Sequence, residues 1–589
     1  MATTIEVHKQ SVKQLLESGK ENPFIIPEYQ RPYAWTEEQV VTLFDDLWEF
    51  VSNENQGTYF LGSIVSYKNE DGEQEIIDGQ QRITSLFLLL RAIYKKLTST
   101  NEMTKEAKNF ITQIEPAIWR TQKLTGEVDY SDTLLNSRVV TDKANFILKE
   151  ILKTGEIQPN AIDSYSKNYL KFIELYEEPT INNPLKIYEF IYTLLNKAIL
   201  LPITADSQDT ALTIFSTLND RGLPLSDADI FKAKIYNNPI IDKTKFIEEW
   251  KELDEDAVYC RESIQQLFYY YMFYLRAIEK DNKTTTPGIR KYFSANKFIK
   301  LYDEKLLENL KIILNLWRVV NNKDEIEGEA WSSNIKIKQI LDSLSSYPNE
   351  FWKYPVVIYY LTYRNVEDFE ERFLNFLRKL FVELLSKYLE TPTINAVKAD
   401  ILKLNVEIIS SITPNFEFKN IDFEVLEQKI KNPHRSTVRM ILKLLAYIDQ
   451  EELLPDKWEV EHIFPQKWQT NYFNNISEDI IREKIEHIGN KIPFEKKLNI
   501  IAGNGYFNKK KSFYTQSKIS IVKNIGELNI NEWELDNISE RDIRICDAIK
   551  SIFDEWNSNY INYNTKKNLS IPSDEEKAKI EEFRKKGWI

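Results

Sequence analysis

The chain has 589 residues, which is too long for a single hydrophobic core and predicts about three domains. Its net charge of −13 excludes a uniformly basic coat for nucleic acid. No apolar run reaches the roughly 18 residues that a membrane helix needs. Two cysteines, Cys260 and Cys546, exclude a Cys-rich zinc site and a disulfide framework. The N-terminal sequence MATTIEVHKQ lacks the layout of a signal peptide, so we expect a cytoplasmic protein with buried thiols.

The first predicted elements form a strand–helix domain. The two prolines of FIIPEYQRPYAW, residues 24–35, exclude a regular helix and predict an ordered, extended segment. Thr36 and Gln39 have the spacing of a capping box and predict the start of a helix. TYFLGSIVSY, residues 58–67, alternates like a strand, and EQEII, residues 73–77, predicts a second strand after a turn.

The second strand leads directly into a helix, and this junction is a candidate anion site. It carries DGQQR, Asp78–Arg82, and the periodicity becomes helical from about Thr84. Free backbone N–H groups and the helix dipole favour an anion at such a helix start. Gly79 permits close approach of the backbone, and Arg82 can pair with a phosphate. The alternative is a tight turn whose polar side chains cap the helix. No GxxxxGK[ST] motif occurs, so a nucleotide site here is not a P-loop.

The middle of the chain is predicted to be helical, and its pattern alone shows no catalytic motif. TALTIFSTLNDRGLPLSDADIFKAKIY, residues 210–236, indicates a helix, a turn, and a second helix capped by Ser226 with Asp229. Residues 100–200 and 241–450 read as amphipathic helices, whose aromatic stripes are typical of a core. We therefore expect an α+β, predominantly helical protein with domains at 1–240, 241–450 and 451–589.

The last domain holds a candidate nuclease site. WEVEHIFP predicts a strand that presents Glu461 and His462, and it is followed by Asn490 and Asn499 at wider spacing. Hydrolysis of a phosphodiester needs a base for the water and a cation for the leaving oxygen. An HNH, or His-Me finger, site supplies both from a β-hairpin and a helix, a ββα-metal fold. In this interpretation His462 is the base, Glu461 and Asn499 hold Mg²⁺ or Mn²⁺, and Asn490 braces the hairpin loop.

Other residues of this domain have competing or supporting roles. Asn504 and Asn508 are rival metal ligands, and His487 is expected to be structural. Residues 491–523 carry eight lysines and one acid, a patch that could neutralise phosphates or simply be a solvated face. The expected contacts with the DNA backbone are Lys509, Lys510 and Lys511.

Several blocks resemble the GmrSD-type type IV restriction endonucleases. They are IPEYQRPYAW, YFLGSIV, IIDGQQRITSLFLLL, the 210–236 segment, and, near the C-terminus, EHIFP, IGN, LN and YFNKKKSFY. The resemblance implies a ParB-like N-terminal domain, a helical connector and an HNH nuclease domain. The family's LGNL motif reads IGNK here, with Lys491 at an expected apolar position. The resemblance also implies a nucleotide pocket with Asn219, Arg221 and Asp229 at its edge, and lined by Gln30, Arg31, Asp78, Gly79, Gln80, Gln81 and Arg82.

The functional expectation is a nucleotide-regulated, metal-dependent endonuclease with NTPase activity in its N-terminal domain, which cleaves foreign, modified phage DNA in antiviral defence. Its cofactors would be Mg²⁺ or Mn²⁺ and a nucleoside triphosphate of unresolved base. Its partner would be DNA, with no membrane, and a homodimer is left open. Two alternatives stand beside it. One is an RNase that cleaves tRNA, and the other is a nucleotide-dependent DNA-binding sensor with a degenerate nuclease domain.

Overall fold

A computed structural model describes most of the chain, and it divides that chain into two compact units, 1–251 and 252–589. The described residues are 6–52, 57–99, 103–139, 142–158, 161–182, 184–218, 226–393, 395–469, 472–473 and 476–566. In the described part, no helix is both long enough and apolar enough to cross a membrane. Both cysteines are buried free thiols, as expected.

The first unit is built around a mixed sheet. Its strands are β1 (Glu6–Val7), β2 (Gln10–Ser11), β3 (Phe24–Ile26), β4 (Tyr59–Lys68), β5 (Gln74–Asp78), β6 (Trp119–Thr121), β7 (Val128–Thr133), β8 (Leu135–Ser137) and β9 (Ala198–Ala205). Seven of them form one sheet in the order β1-β9-β4-β5-β3-β8, with β2 also on β9. β6 and β7 pair separately.

Helices surround this sheet. They are α1 (Val12–Ser18), α2 (Glu37–Ser52), α3 (Gln80–Thr98), α4 (Lys105–Ile118), α5 (Asp142–Thr154), α6 (Ser164–Asn182), α7 (Pro184–Tyr192), α8 (Gln208–Leu218) and α9 (Asp227–Tyr236). A further helix, α10 (Lys243–Tyr259), crosses the boundary of the unit at residue 251. α3 is buried over most of its length because α4, α5 and α6 pack around it. The predicted strands at 58–67 and 73–77 are confirmed as β4 and β5, and the capping box at Ser226 and Asp229 is confirmed at the start of α9.

The second unit is predominantly helical. Its helices are α11 (Ile264–Ile278), α12 (Ile289–Phe298), α13 (Leu306–Trp317), α14 (Ile335–Leu344), α15 (Lys353–Tyr363), α16 (Phe369–Glu390), α17 (Lys398–Ser410), α18 (Phe423–Lys431), α19 (Arg435–Asp449), α20 (Glu478–Ile485), α21 (Lys496–Ala502), α22 (Phe507–Tyr514), α23 (Ser520–Gly526) and α24 (Leu535–Lys566). The aromatic stripe of α11 is core, as predicted, since Tyr270 and Tyr271 are fully buried. One hairpin, β10 (Trp458–His462) with β11 (Lys491–Glu495), lies among the C-terminal helices.

Candidate active site and anion site

The candidate active site is built on the β10–β11 hairpin. The two strands are antiparallel, and His462 lies opposite Lys491. Because side chains alternate across a strand, Glu461 and His462 point to opposite faces. α21 follows β11 without a gap and packs against both strands. The order strand, strand, helix therefore brings Asn499, which lies on α21, to the same hairpin as Glu461 and His462.

His462 has the environment of a neutral base. Only 15% of its side chain is exposed. Its Nε2 lies 3.5 Å from Oε2 of Glu486 and 3.4 Å from the side-chain nitrogen of Gln466. Its Nδ1 has no hydrogen-bond partner among the described residues. Burial lowers the pKa of His462, and the charges of Lys491 and Lys510 add to this against the opposing charge of Glu486. The lowered pKa favours the neutral ring, which has the lone pair that a general base needs.

Asn490 is fully buried beneath the segment that follows β10. Its Nδ2 donates to the carbonyl oxygens of Phe464 and Ile485, each at 3.0 Å. Its Oδ1 accepts from the N–H of Phe464 at 2.7 Å, and its backbone carbonyl accepts from the N–H of Ile463 at 2.9 Å. Asn490 therefore holds the chain that leaves His462 and acts on the base only through the backbone.

Glu461 lies on the core face of the hairpin and is 7% exposed. Its Oε1 accepts from Nζ of Lys510 at 2.6 Å and from the hydroxyl of Tyr514 at 2.8 Å. Nζ of Lys510 also donates to the carbonyl of His462 at 2.7 Å. The side chain of Lys510 is 1% exposed, so it does not reach a DNA backbone. The expected DNA contact at Lys510 is corrected to a buried ion pair that ties α22 to β10.

Glu461 and Asn499 fit a hard divalent ion by the type of their donor atoms. Oε2 of Glu461 and the partly exposed side chain of Asn499 form no hydrogen bond with the described residues. Carboxylate and amide oxygens are ligands that Mg²⁺ and Mn²⁺ accept, usually together with waters and substrate oxygens. The described ranges contain no group of three or more His, Cys, Asp and Glu that could hold a metal ion. A metal here would depend on this mixed pair and on substrate, and it would share the Glu461 carboxylate with the ammonium of Lys510, which occupies Oε1.

The two alternative metal ligands, Asn504 and Asn508, differ in the hydrogen bonds of their side-chain amides. Nδ2 of Asn504 donates to the carbonyl of Lys467 at 2.8 Å, and its Oδ1 accepts from the N–H of the same residue at 3.4 Å. Asn504 thus braces the loop after β10 and has no free amide. Asn508 is exposed on α22. Of the three candidates, Asn499 and Asn508 keep an available side chain.

Lys509 and Lys511, which flank Lys510 in the expected DNA contact, also differ in their surroundings. Lys509 is exposed. Nζ of Lys511 donates to the backbone carbonyls of Leu528 and Ile530, the latter at 2.9 Å. The ammonium of Lys511 therefore closes a loop, and Lys509 is the member of the triplet that is open to a phosphate.

His487, the second histidine of this domain, belongs to a different network. Its Nδ1 lies 2.7 Å from Oδ2 of Asp542 on α24, and the N–H of Gly489 donates to Oδ1 of the same carboxylate at 2.8 Å. Nη1 of Arg541, also on α24, donates to the carbonyls of Gly489 and Lys491 at 2.9 and 2.8 Å. These contacts fix the chain around His487 to α24, so His487 has a structural role, as expected from the sequence.

Two charged residues near His462, Lys491 and Glu486, were not predicted from the sequence to be part of the site. Lys491 is 5% exposed, and its Nζ donates to the carbonyl of Glu486 at 2.6 Å and pairs with Oε2 of Glu486 at 2.8 Å. This pair explains why a lysine fits at the position where the family motif has an apolar residue. The available signal was that a lysine in a buried strand position requires a carboxylate partner.

The N-terminal anion site lies where β5 turns into α3. Gly79 adopts a left-handed conformation, φ 87°, as the residue that begins α3. A Cβ there would lie 2.3 Å from Cδ1 of Ile64, so the turn requires glycine. Gly62, with φ +116°, lies directly against the guanidinium of Arg82, whose Nη1 donates to the carbonyl of Ser63 at 2.9 Å. The two glycines thus let β4, the turn and Arg82 approach closely.

The three glutamines expected in the pocket are used inside the protein. Nε2 of Gln80 donates to Oε1 of Gln30 at 3.1 Å, and Nε2 of Gln30 donates to the carbonyl of Ile77 at 3.2 Å. Oε1 of Gln81 accepts from the N–H groups of Ala34 and Trp35 at 2.7 and 3.2 Å. All three are buried. They fasten the extended 24–35 segment to the start of α3, which is a packing role.

The charged groups at this turn are Asp78, Arg82 and Arg31. Burial raises the pKa of Asp78, against the Gly79 N–H and the charges of Arg82 and Arg31. Burial also lowers the pKa of Arg82, against the charge of Asp78. Nε of Arg31 is buried without a hydrogen-bond partner among the described residues. Two guanidinium groups against one carboxylate leave a net positive charge at a helix start, which suits an anion.

Three further residues, Asn219, Arg221 and Asp229, were expected at the edge of the pocket. Asn219 and Arg221 lie outside the described residues. Oδ2 of Asp229 accepts from the N–H and the hydroxyl of Ser226 at 3.0 and 2.9 Å, so this carboxylate caps α9.

Comparison with known proteins gives matches at both ends of the chain. Residues 12–236 match the N-terminal domain of the GmrSD restriction endonuclease, and residues 417–548 match the C-terminal domain of the GmrSD restriction endonucleases. An uncharacterized protein of Methanocaldococcus jannaschii is 25% identical over 276 residues, which are 41% of this chain and 43% of that protein. The chain therefore matches less than half the length of that relative.

The two matched domains stand in the same order as the two sites. The first covers the β5–α3 turn, and the second covers the β10–β11 hairpin with α21. With both of its domains present, the chain belongs to the GmrSD-type restriction endonuclease family.

Proposed function

We propose that this protein is a metal-dependent DNA endonuclease of the type IV restriction class, with HNH-type chemistry and regulation by a nucleoside triphosphate. Its target would be foreign DNA, above all modified phage DNA. The observation that carries the proposal is the hairpin. His462, whose Nδ1 has no hydrogen-bond partner among the described residues, stands at the end of β10, and α21 with Asn499 packs on the same two strands.

The chain's own residues account for the proton transfer. Nδ1 of His462 would take a proton from the attacking water, which a neutral imidazole can do at pH 7. Asn490 fixes the backbone that leaves His462, so the base keeps its position. A Mg²⁺ or Mn²⁺ ion held by Glu461 and Asn499 would stabilise charge on the leaving oxygen.

Exposed lysines border the same helix and supply contacts for a phosphate backbone. Lys496 and Lys497 begin α21, Lys509 lies on α22, and all three are exposed. Each lysine that neutralises a phosphate releases a counterion, so binding through them would weaken steeply with salt. Net acidity of the chain does not oppose this, because the lysines are concentrated beside the candidate active site.

The β5–α3 turn would bind the nucleotide. Arg82 and Arg31 provide positive charge, and the start of α3 provides backbone N–H groups for a triphosphate. The glutamines of DGQQR bind Gln30 and the backbone of Ala34 in this conformation and so shape the turn. The base of the nucleotide is left open.

The test is a cleavage assay with the full chain. Unmodified plasmid, phage DNA with modified cytosines, phosphorothioate DNA and tRNA are each incubated with Mg²⁺ or Mn²⁺, with and without each nucleoside triphosphate. We expect cleavage of one modified DNA that depends on metal, responds to a nucleotide and disappears in His462→Ala. Cleavage of tRNA with all DNA intact would instead establish an RNase. Nucleotide-dependent DNA binding without any cleavage would establish a sensor.

A further inference from the structure

A carboxylate accompanies the candidate base. Oε2 of Glu486 lies 3.5 Å from Nε2 of His462, and Oε1 of Glu486 accepts from Nε2 of Gln466 at 3.2 Å. Glu486 ends the turn after α20 and precedes His487 in sequence. It therefore reaches His462 from across the hairpin, from a segment that carries no proposed ligand of the metal.

Glu486 is held in this position by Lys491. Nζ of Lys491 contacts both the carboxylate and the backbone carbonyl of Glu486, and Lys491 is itself buried opposite His462 in the strand register. The hydrogen bond and charge of Lys491 lower the pKa of Glu486 although partial burial works to raise it. The carboxylate is therefore ionised near neutral pH, and its direction toward His462 is fixed at two points.

The contact decides which nitrogen of His462 carries the proton. An ionised carboxylate repels an imidazole lone pair and attracts an N–H. The side-chain nitrogen of Gln466 is also near Nε2, but its hydrogen bond to Glu486 at 3.2 Å is the shorter of its two contacts. The charged carboxylate of Glu486 should therefore determine the tautomer of His462 more strongly than the neutral amide of Gln466 does. Nε2 is then protonated, and the lone pair lies on Nδ1, the nitrogen without a partner among the described residues.

We propose that Glu486, anchored by Lys491, is a positioning residue that holds His462 in the Nε2–H tautomer and presents Nδ1 as the base. This inference rests on the proposed nuclease function for its catalytic meaning. Its structural content, the tautomer, does not require the chain to cleave anything. This role also explains why the motif reads IGNK here, because its lysine, Lys491, holds the carboxylate of Glu486 in place.

The direct test is ¹⁵N NMR of the histidine rings. The chain has four histidines, so protein labelled only at histidine gives four ring systems, and His462→Ala identifies one of them. We expect His462 of the wild type to be protonated at Nε2 with an unprotonated Nδ1. In Glu486→Ala, the His462 signals should shift toward a mixture of tautomers. An Nδ1–H tautomer in the wild type, or unchanged signals in Glu486→Ala, would overturn the inference.

Kinetics provide a second readout. Glu486→Ala should lower kcat for DNA cleavage by about 10- to 100-fold with little change in KM, because the carboxylate acts on the base and not on DNA. Glu486→Gln keeps an acceptor and should recover part of the loss, and Lys491→Met should give an intermediate rate. Glu483→Gln removes an exposed carboxylate of α20 and should match the wild type. A wild-type kcat in both Glu486→Ala and Lys491→Met would contradict the positioning role.

The two failures can be told apart. Full cleavage by His462→Ala would refute the proposed nuclease site, whatever the tautomer is. A wild-type tautomer in Glu486→Ala would refute only the role of Glu486. Glu486→Ala leaves the buried ammonium of Lys491 without its carboxylate and should lower stability. The tautomer and the rate are therefore compared at a temperature where a thermal melt shows the variant folded, and the double variant Glu486→Ala, Lys491→Met, which removes both charges, should show the same mixture of tautomers.

Discussion

Lys509 and Lys510 are neighbours in sequence, but the structure gives their ammonium groups opposite surroundings. Lys509 is exposed to solvent. Lys510 is buried, and it neutralises Glu461 while donating to the backbone of His462. Burial lowers the pKa of Lys510, and the charge of Glu461 opposes this. The pair shows that a run of lysines can combine a surface contact with a core ion pair.

The two lysines should therefore respond differently to the same substitution. Lys510→Met leaves the Glu461 carboxylate buried without its cation and should lower the free energy of unfolding by about 3 to 5 kcal/mol. Lys509→Met should leave stability unchanged and reduce the slope of log affinity for DNA against log salt by about 1. Denaturant unfolding and salt-dependent DNA binding measure the two effects. Equal stability of both variants would contradict the buried ion pair.

For single residues, the sequence predicts only those roles that depend on residues nearby in the chain. Residue type and spacing predict that His462 and Asn490 belong to a hairpin site, and the structure places both at the β10–β11 hairpin; their catalytic roles stay predictions. The partners of Glu461 could not be predicted, since Lys510 and Tyr514 lie 49 and 53 residues further along the chain and reach it only in the folded domain. The glutamines of DGQQR illustrate the same limit, because their bonds to the 24–35 segment become visible only once both segments are packed.

Among elements, the turn between β10 and β11 packs closely against α24 at Gly489. A Cβ on Gly489 would lie 2.2 Å from the carbonyl of Ile538 and 2.7 Å from Oδ1 of Asp542. Gly489→Ala should therefore force the turn away from α24 and cost about 2 to 3 kcal/mol of stability. Gly505→Ala is the matched control, because its nearest neighbour would be Cβ of Lys509 at 3.4 Å. Thermal unfolding of both variants tests this, and an unchanged melt for Gly489→Ala would refute the close packing.

A buried charge cluster joins α14 to α19. Nζ of Lys443 lies 2.9 Å from Oδ2 of Asp342, which also accepts from the hydroxyl of Tyr447 at 2.6 Å. Nζ of Lys323 lies 3.3 Å from Oδ1 of Asp342. Burial works to raise the pKa of Asp342, but Lys443, Lys323 and Tyr447 together hold it below its usual range.

The cluster gives stability a defined pH dependence. A carboxyl with a lowered folded-state pKa contributes stability fully above the unfolded pKa of about 3.9, and loses it as pH falls through the folded pKa. Asp342→Asn should lower stability at pH 7 by about 3 kcal/mol, because it leaves Lys443 buried and unpaired. The difference from wild type should shrink below pH 4.

The matched control for this cluster is the double variant Asp342→Asn, Lys443→Met. It removes both charges and should be more stable than the single variant. Denaturant unfolding at pH 7 and at pH 3 measures all three proteins. A pH-independent difference between Asp342→Asn and wild type would show that the ion pair does not set the dependence.

The elements with strong local patterns were predictable, and those without were not. β4 and β10 alternate in polarity, β5 follows a turn signal at Asp71 and Gly72, and each of the three strands is predicted from the sequence. β9, AILLPITA, lies in the middle of the sheet, but its apolar run contains Pro202 and continues from a helical pattern. β7 is polar and largely exposed, so its sequence carries no strand pattern, and the expectation of helices across residues 100–200 is wrong there. Pairing with β6 supplies the hydrogen bonds that its side chains do not predict.

For the whole molecule, the two compact units carry separate sites. The β5–α3 turn lies in unit 1–251, and the hairpin lies in unit 252–589. The sequence predicted this order of parts because each site depends on a local motif. It could not define the helical arrangement between them, since amphipathic helices fit many packings.

Separate sites should give separable activities. Arg82→Ala removes the guanidinium that stands at the start of α3 and should abolish nucleotide hydrolysis and the effect of nucleotide on cleavage. His462→Ala should abolish cleavage and leave hydrolysis of the nucleotide unchanged. Phosphate release and DNA cleavage, both measured for the two variants, test the separation. A nucleotide response that survives in Arg82→Ala would place the nucleotide elsewhere.

The central claim is that His462 is the base of a metal-dependent nuclease, and the chain contains its own control. Both His462 and His487 stand in an EHI triplet, but His487 is bound to Asp542 on α24. The decisive measurement is the cleavage rate of modified phage DNA by His462→Ala and His487→Ala with Mg²⁺ or Mn²⁺. We predict a loss of about 10²- to 10⁴-fold for His462→Ala and cleavage close to wild type for a folded His487→Ala. Unchanged cleavage by His462→Ala, or loss confined to His487→Ala, would contradict the account.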